Sequence, residues 1–153
     1  MFLLQLIEAL DNNRIRYALV GGYAVALHGV VRGTVDVDLA IRINKGEFRK
    51  TEKALNGLGL KSLLPVTADD VFTYREEYIR NRNMKAWSFV NPDRAGEVVD
   101  ILITEDASDL KTVTKTIASR KVRVAAIPEL IRMKTGTGRP QDEVDIKALK
   151  ELL

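Results

Sequence analysis

The sequence predicts an α/β fold, described equally well as α+β, in which a small mixed β-sheet is flanked by helices. Residues 35–43 alternate apolar and polar side chains, which is the period of a half-buried strand. The apolar run VVDILI, within residues 97–103, indicates a second strand. Apolar residues elsewhere recur at helical spacing, so helices and strands are interleaved along the chain.

Each predicted element follows from a local pattern of this kind, with turn or capping residues at its ends. The predicted helices are 2–11, 23–28, 44–58, 128–134 and 140–153. The predicted strands are 16–20, 35–43, 86–90, 97–103 and 121–126, with a further short strand considered for 61–64. Residues 68–78 fit either a helix or a loop, and the pattern of 110–118 is ambiguous.

Three details of the helices are specific enough to check. Asn44 is predicted to cap the helix that follows it, and Glu47 completes a pattern like that of a capping box. Pro128 is expected at the favoured first position of its helix. The buried stripe of the last helix is expected to consist of its apolar residues, Val144, Ile146, Leu149 and Leu152/Leu153.

Composition limits the class of protein. The 153 residues carry a net charge of +3, and there is no cysteine, which excludes disulfides and thiolate metal sites. No apolar run approaches the roughly 20 residues of a membrane span, and the apolar N-terminus contains Glu8 and reads as a helix rather than a signal peptide. We therefore expect no membrane association and a cytoplasmic protein, built as one unit with a main domain at 1–126 and helices at 127–153 packed on it.

Three aspartates are candidates for a metal site. Asp36 and Asp38 are two residues apart on a predicted strand and so point to the same face. Asp100 lies within VVDILI, where burial of a carboxylate is costly unless a cation is near. If the two strands are neighbours, the three carboxylates converge, and oxygen ligands without His or Cys favour Mg²⁺ or Mn²⁺.

Simpler interpretations stay open for these residues. Asp36 and Asp38 also fit the wet face of an edge strand, and Asp100 also fits a buried ion pair with Arg32 or Arg42. The glycine pair at 21 and 22 offers backbone N–H groups to phosphates at the start of a helix, but a tight turn alone also explains it.

In combination, these residues resemble the nucleotidyltransferase superfamily of DNA polymerase β, and more closely its small prokaryotic members related to the AbiEii toxins. The resemblance is carried by a run of the form GG-x-A-x₃-HG-x₂-R-x-T-x-D-x-D. Many superfamily members have Gly-Ser where this chain has two glycines. The matching residues are Gly21, Gly22, Ala24, His28, Gly29, Arg32, Thr34, Asp36 and Asp38, with Asp100 as the third carboxylate and Lys134, Arg139, Asp142 and Asp145 in a C-terminal pattern.

The resemblance implies an enzyme that moves a nucleoside monophosphate from an NTP to a hydroxyl and releases pyrophosphate. Two Mg²⁺ or Mn²⁺ ions would be bound by the catalytic residues Asp36, Asp38 and Asp100. The implied nucleotide- and phosphate-binding residues are Gly21, Gly22, Arg32, Thr34 and Lys134. His28, Arg139, Asp142 and Asp145 are further candidates for the cleft. His28 at a helix end, and the two aspartates, one helical turn apart near a helix N-terminus, also suit purely structural roles.

The partners implied are an NTP and an acceptor that is an RNA, as tRNA is for some relatives, or a protein. A homodimer that completes the cleft and an antitoxin-like partner protein are also implied. The alternative is a non-catalytic nucleotide- or metal-binding module that acts through a protein partner, as in a toxin–antitoxin pair. A metal-dependent phosphohydrolase is disfavoured, because such sites usually include several histidines and His28 is the only one here.

Overall fold

A mixed seven-stranded β-sheet forms the centre of the computed structural model, which describes residues 1–153. The strands are Tyr17–Val20 (β1), Val37–Ile41 (β2), Lys61–Ser62 (β3), Ala86–Val90 (β4), Val98–Asp106 (β5), Thr112–Ile117 (β6) and Arg120–Ala125 (β7). Their spatial order is β3-β4-β5-β2-β1-β7-β6. The pairs β2–β5 and β1–β7 are parallel, and the other neighbours are antiparallel.

Seven α-helices and one short 3₁₀ turn at Ala107–Asp109 accompany the sheet. The predicted α/β fold is therefore confirmed. None of the helices is long and apolar enough to cross a membrane. The helices are Phe2–Asn12 (α1), Gly21–Leu27 (α2), Lys45–Gly57 (α3), Ala68–Thr73 (α4), Arg75–Asn81 (α5), Ile127–Lys134 (α6) and Pro140–Glu151 (α7).

Large buried side chains hold the strands around β5 in place. Phe48 of α3 stacks on Trp87 of β4 with ring centroids 5.9 Å apart, and Trp87 lies 4.6 Å from Phe89. All three side chains are buried. Because each such side chain stabilises the fold by about 1.5–3 kcal/mol, this cluster fixes β4 against α3 and so fixes its neighbour β5.

The strand predicted at 35–43 is shorter in the structure. β2 begins at Val37, and Val35 is 63% exposed. The antiparallel pairing of β1 with β2 ends at Val20 opposite Asp38, because the chain turns into α2 at Gly21. Residues 35 and 36 therefore have no neighbour in β1, and Asp36 lies in a bend before the strand.

The predicted N-cap of α3 is confirmed, but the reciprocal half of the capping box is not formed. The Asn44 side chain accepts a hydrogen bond from the Glu47 N–H at 2.7 Å. The Glu47 carboxylate instead accepts the N–H of Arg16 at 3.1 Å and pairs with Lys50 at 2.9 Å. Pro128 is the second residue of α6 rather than the first.

The predicted buried stripe of α7 is largely wrong. Val144 is 61% exposed, and Leu152 and Leu153 are also exposed, although Leu149 is buried and Ile146 half-buried. The inward face carries Asp142, Asp145 and Leu149, at positions that share one side of a helix. Carboxylates replace apolar residues there because cations from other elements meet them, as described below.

The segments without a firm prediction are resolved as follows. Residues 68–78 contain α4 and most of α5, 61–64 contains the two-residue β3, and 110–118 contains the edge strand β6. The division of the chain at residues 126 and 127 stays a prediction.

Candidate active site

A cleft of about 550 Å³ lies between the sheet and the two C-terminal helices. It opens where β1 ends and where β2 and β5 begin. Most of the residues singled out from the sequence meet in its walls. Those that bear on its chemistry are Gly21, Gly22, Arg32, Asp38, Lys85, Asp100, Lys134, Arg139 and Asp142.

Asp38 and Asp100 lie side by side in this cleft. The parallel pairing of β2 with β5 places them in register, so that both side chains leave the same face of the sheet. The two strands are therefore neighbours, which is the condition under which the carboxylates were expected to converge, and Asp38 and Asp100 do converge. The pairing of Val20 with Asp38 also brings them next to the end of β1.

Asp100 has a hydroxyl partner and no cation. Ser88, opposite Asp100 on β4, donates its hydroxyl to Oδ1 at 2.6 Å. Arg32 pairs with Asp145, and Arg42 donates to the Ser108 hydroxyl at 3.3 Å. The alternative that Asp100 forms a buried ion pair with either arginine is therefore wrong.

The pKa of Asp38 is raised to about 7. Burial is the largest cause, followed by the charge of Asp100, a hydrogen bond between the two carboxyl groups and the charge of Asp36. Lys134 opposes these effects. The pair therefore lies in surroundings that hold too little positive charge to ionise both groups easily.

Asp36 is placed differently from the other two carboxylates. It is exposed, precedes β2 and does not line the cleft. Its charge still reaches Asp38, because it contributes to the raised pKa of that group. The sequence pattern thus brings two carboxylates together and leaves the third at the margin.

The donor set of the cleft fits a divalent cation with few protein ligands. No group of three His, Cys, Asp or Glu side chains lies close enough to hold a metal ion. Mg²⁺, however, usually binds one or two carboxylates and completes its shell with water and phosphate oxygens. The raised pKa of Asp38 also indicates a missing counter-charge. Asp38 and Asp100 therefore fit Mg²⁺, while a two-ion site with Asp36 stays a prediction.

Gly21 is required by its backbone and by Asp38. Its φ is +67°, which L side chains rarely adopt. A Cβ atom here would lie 1.9 Å from Oδ2 of Asp38. The glycine therefore allows the carboxylate to pack directly against the turn that opens α2.

Gly22 leaves room for two polar side chains from the loop before β2. A Cβ atom here would lie 2.7 Å from the Thr34 hydroxyl and 3.2 Å from Nη2 of Arg32. The space beside Gly22, where many superfamily members have a serine, is thus bordered by a threonine hydroxyl and a guanidinium group. The second glycine does not leave the turn without side-chain donors.

Lys134 connects the two aspartates of α7. Its Nζ lies 3.1 Å from Asp142 and 3.0 Å from Asp145, and all three residues are buried. Asp142 also accepts hydrogen bonds from the Thr137 hydroxyl at 2.7 Å and from Arg139 at 2.8 Å. Burial raises the pKa of Asp142, but the Thr137 hydrogen bond and Lys134 outweigh that effect and lower it overall.

Arg32 completes this network from the loop before β2. Its guanidinium group is ion-paired with Asp145, which is 1% exposed and also accepts a hydrogen bond from Gln141 at 2.9 Å. The loop before β2 is thereby connected to α6 and α7. We refer to Arg32, Lys134, Arg139, Asp142 and Asp145 as the helix network.

His28 has a structural contact. It is the C-cap of α2, and its Nε2 donates to the carbonyl oxygen of Ala125 at 2.8 Å. The bond connects α2 to the end of β7, in agreement with the structural interpretation of this residue.

Two residues near the carboxylate pair were not predicted from the sequence: Ser88, which lies behind the cleft wall on β4, and Lys85, which lines the cleft. Ser88 has no motif around it, and only the pairing of β4 with β5 brings it to Asp100. Lys85 precedes β4, lines the cleft, is exposed and forms no ion pair. The one signal in the sequence was for Lys85, a cation placed directly before the predicted strand 86–90.

No protein-family model and no curated protein sequence matches the chain. Solved structures do. The lincosamide antibiotic adenylyltransferase LnuA, in its lincomycin-bound form, superposes with a TM-score of 0.67 at 16% identity, covering 99% of this chain and 96% of that one. The antibiotic-resistance factor ANT(2'')-Ia superposes with a TM-score of 0.64 at 15% identity, covering 99% and 80%.

A third neighbour is a putative nucleotidyltransferase from Thermotoga maritima. Its TM-score is 0.62 at 16% identity, with 97% of this chain and 91% of that chain covered. The likeness extends over 97–99% of this chain and over 80–96% of the three neighbours. The predicted fold of the nucleotidyltransferase superfamily is therefore confirmed, whereas the resemblance to AbiEii toxins in particular stays a prediction.

Proposed function

We propose that this chain, which has the nucleotidyltransferase fold, transfers a nucleoside monophosphate from an NTP to a hydroxyl acceptor. The observation that carries the proposal is the pair Asp38 and Asp100, in register on neighbouring strands and without a cationic partner. A half-buried carboxylate pair that the protein itself leaves without a cationic partner is typical of a site that a bound cation completes. Folds alone do not determine activity, so the proposal rests on this site.

The carboxylates and their neighbours divide the chemistry between them. Asp38 and Asp100 would hold Mg²⁺, which when bound neutralises phosphate charge and lowers the pKa of an acceptor hydroxyl. Asp100, which accepts a hydrogen bond from Ser88, would accept the proton of that hydroxyl. The acceptor oxygen bonds to the α-phosphorus as the bond to the β-phosphate oxygen breaks, and pyrophosphate leaves.

Cations and donors around the turn at Gly21 suit the triphosphate. Lys85 is exposed in the cleft without an ion pair, and Lys134 and Arg32 line it next to each other, since both contact Asp145. Thr34 borders the position next to Gly22 with its hydroxyl. These groups would donate hydrogen bonds to the phosphate oxygens. They would thereby replace the serine hydroxyl that many superfamily members have at the position of Gly22.

The acceptor must carry a free hydroxyl group, which several classes of molecule do. RNA and protein side chains remain our candidates, and an antitoxin-like partner protein is among them. The names of two neighbours widen the choice, since one is an antibiotic adenylyltransferase bound to lincomycin and another was solved with adenylyl-2''-tobramycin. Hydroxyl-bearing small molecules therefore belong in the acceptor panel.

The test is transfer of label from NTPs labelled at the α-phosphate. Wild-type protein with Mg²⁺ is incubated with each NTP and with total RNA, protein extract or a panel of hydroxylated small molecules. Asp38→Asn and Asp100→Asn are expected to lower the rate by at least about a hundredfold. Asp93→Asn, on an exposed turn, is the matched control and should keep the wild-type rate.

Two results would overturn the proposal. One is the absence of labelled product from folded wild-type protein across the whole panel. The other is equal labelling by wild type and Asp38→Asn, which would assign the reaction to a contaminant or to another site.

The position of Asp36 favours a second candidate, the non-catalytic nucleotide-binding module. Only two of the three expected carboxylates line the cleft. A module of this kind would be stabilised by an NTP with Mg²⁺ by RT ln(1 + [L]/Kd), measurable as a rise in melting temperature, without any labelled product. Stabilisation together with transfer supports the enzyme instead.

A further inference from the structure

A second concavity, of about 430 Å³, lies at the end of the sheet opposite the cleft. β1 joins the two regions: the residues before it and its first residue, Tyr17, line the second concavity, whereas Gly21 after it lines the cleft. The beginning of β7, which runs parallel to β1, supplies the other wall. The two sites are thus separated by the length of the strand.

Four cations line this concavity and none has an ion-pair partner. They are Arg14, Arg16, Lys121 and Arg123, and all four are exposed. Most other arginines of the chain pair with a carboxylate. We call these four residues the basic end.

Local structure explains why the four charges face the same space. Lys121 and Arg123 alternate with the buried Val122 and Val124 on β7, so both leave the exposed face of the sheet. Arg14 has a φ of +54° in the turn after α1, and Arg16 follows the buried Ile15. The charges therefore come from two separate segments that the pairing of β1 with β7 brings together.

The carboxylate in this region does not neutralise the basic end. Asp11 lines the concavity, but it pairs at 3.4 Å with Arg120, which also lies 3.7 Å from Glu8. A fifth cation thus occupies the nearby acidic groups and leaves the other four free. Concentrated positive charge of this kind attracts polyanions.

We propose that the basic end binds the phosphodiester backbone of a nucleic acid. Four separate cations and the exposed hydroxyl of Thr114 match a series of phosphate groups spaced along a chain. The aromatic residue of the site, Tyr17, is 5% exposed and offers no face on which a base stacks. The site would therefore recognise the charge and the spacing of the phosphate groups and would not distinguish between bases.

This binding is independent of the chemistry in the cleft. Its test uses fluorescence anisotropy with a labelled single-stranded RNA of mixed sequence, without NTP or Mg²⁺. Four phosphate contacts predict that the logarithm of the affinity falls with the logarithm of salt concentration with a slope of about −3, at about 0.7 per contact for single strands. A labelled DNA strand of the same sequence should bind similarly, because backbone contacts do not depend on the bases.

Charge reversal at the basic end is the decisive variant. R16E/R123E is expected to lower the affinity at low salt by about tenfold or more. The control is R80E/K147E, which makes the same change in net charge at two exposed positions on α5 and α7. If the reversed pair fails to fold, R16Q/R123Q replaces it and should make the salt slope less steep by about 1.4.

Three outcomes would overturn the proposal. The first is no binding of RNA or DNA by folded wild-type protein at low salt. The second is an equal loss of affinity in the control variant, which would reduce the effect to net charge. The third is displacement of the RNA by polyglutamate at the same charge concentration, which would make an acidic protein the ligand of the basic end.

Discussion

The two aspartates of the sheet and the two aspartates of α7 border the same cleft, but their surroundings have opposite electrostatics. Asp38 and Asp100 are next to each other with one hydroxyl and no paired cation, and the pKa of Asp38 is raised. Asp142 and Asp145 are buried against Lys134, Arg32 and Arg139, and the pKa of Asp142 is lowered.

This difference separates carboxylates that the fold compensates with its own cations from carboxylates that it leaves without a cationic partner. A buried carboxylate is costly unless it is compensated. The helix network compensates its carboxylates from within the chain, so its contribution is to the fold and to the position of its cations. The sheet pair is left uncompensated, and the folded protein therefore carries a free-energy cost that a bound cation would remove.

The largest effect is expected from breaking the helix network. Asp145→Asn removes the carboxylate that both Arg32 and Lys134 contact, and loss of one partner from a buried ion pair typically costs about 3–5 kcal/mol. The free energy of unfolding is measured by urea denaturation.

Glu143→Gln is the matched control for that measurement. Glu143 is exposed on the same helix and forms no ion pair, so the change should stay within about 0.5 kcal/mol. If Asp145→Asn is as mild as this control, the helix network is not a structural element and the comparison with the sheet pair fails.

At Asp38 the opposite change in stability is expected: removal of the negative charge should increase the free energy of unfolding at neutral pH. Because the pKa of Asp38 is higher in the folded than in the unfolded state, the folded state binds more protons between about pH 4 and pH 7. Stability of the metal-free protein should therefore decrease as pH rises through this window, by on the order of 4 kcal/mol from this group, since the pKa rises by about three units at about 1.4 kcal/mol each. Asp38→Asn should flatten that decrease.

The pH dependence separates the two pairs of carboxylates. The pKa of Asp142 is lowered, so its stabilisation is present at neutral pH and is lost as pH falls through the acidic range. Urea denaturation at a series of pH values, with and without Mg²⁺, measures both. A wild-type stability that rises from pH 4 to pH 7 as steeply as that of Asp38→Asn would show that the sheet pair is compensated after all.

An intermediate effect is expected at Gly22, where the two regions meet through Arg32. Gly22→Ser places a Cβ atom 2.7 Å from the Thr34 hydroxyl, and overpacking of this kind costs about 1–3 kcal/mol. Thr34→Ala in the same chain removes that hydroxyl and should restore part of the loss. Thermal unfolding of the single and double variants gives the coupling between the two positions.

The smallest effect is expected at the outer member of the helix network. The Arg139 side chain is 74% exposed, although it lies 2.8 Å from Asp142. Arg139→Gln should therefore cost less than about 1 kcal/mol, as surface ion pairs do. A larger loss in urea denaturation would mean that Arg139 is as necessary to the network as the buried Lys134.

Several elements were predictable because their signals are local. The alternation of VVDILI, the apolar face of α1 and the side chain of Asn44 each act within a few residues of the chain. The α/β class and the positions of Asp38 and Asp100 on strands follow from such patterns. The residue at which β2 begins was not predictable, since Val37 is held in the strand by its pairing with Val99 of β5, a residue distant in sequence.

Local patterns in the sequence were enough to select the candidate residues of the cleft: a glycine turn, a strand with a carboxylate and a carboxylate inside an apolar run. The contacts of these residues emerge only on folding. Strand pairing brings Asp38 to Asp100 and Ser88 and leaves Asp36 outside, and packing of α7 turns Asp142 and Asp145 inward instead of Val144. This is so because the cost of burying a charge depends on partners distant in sequence, and those partners are defined only when the chain has folded.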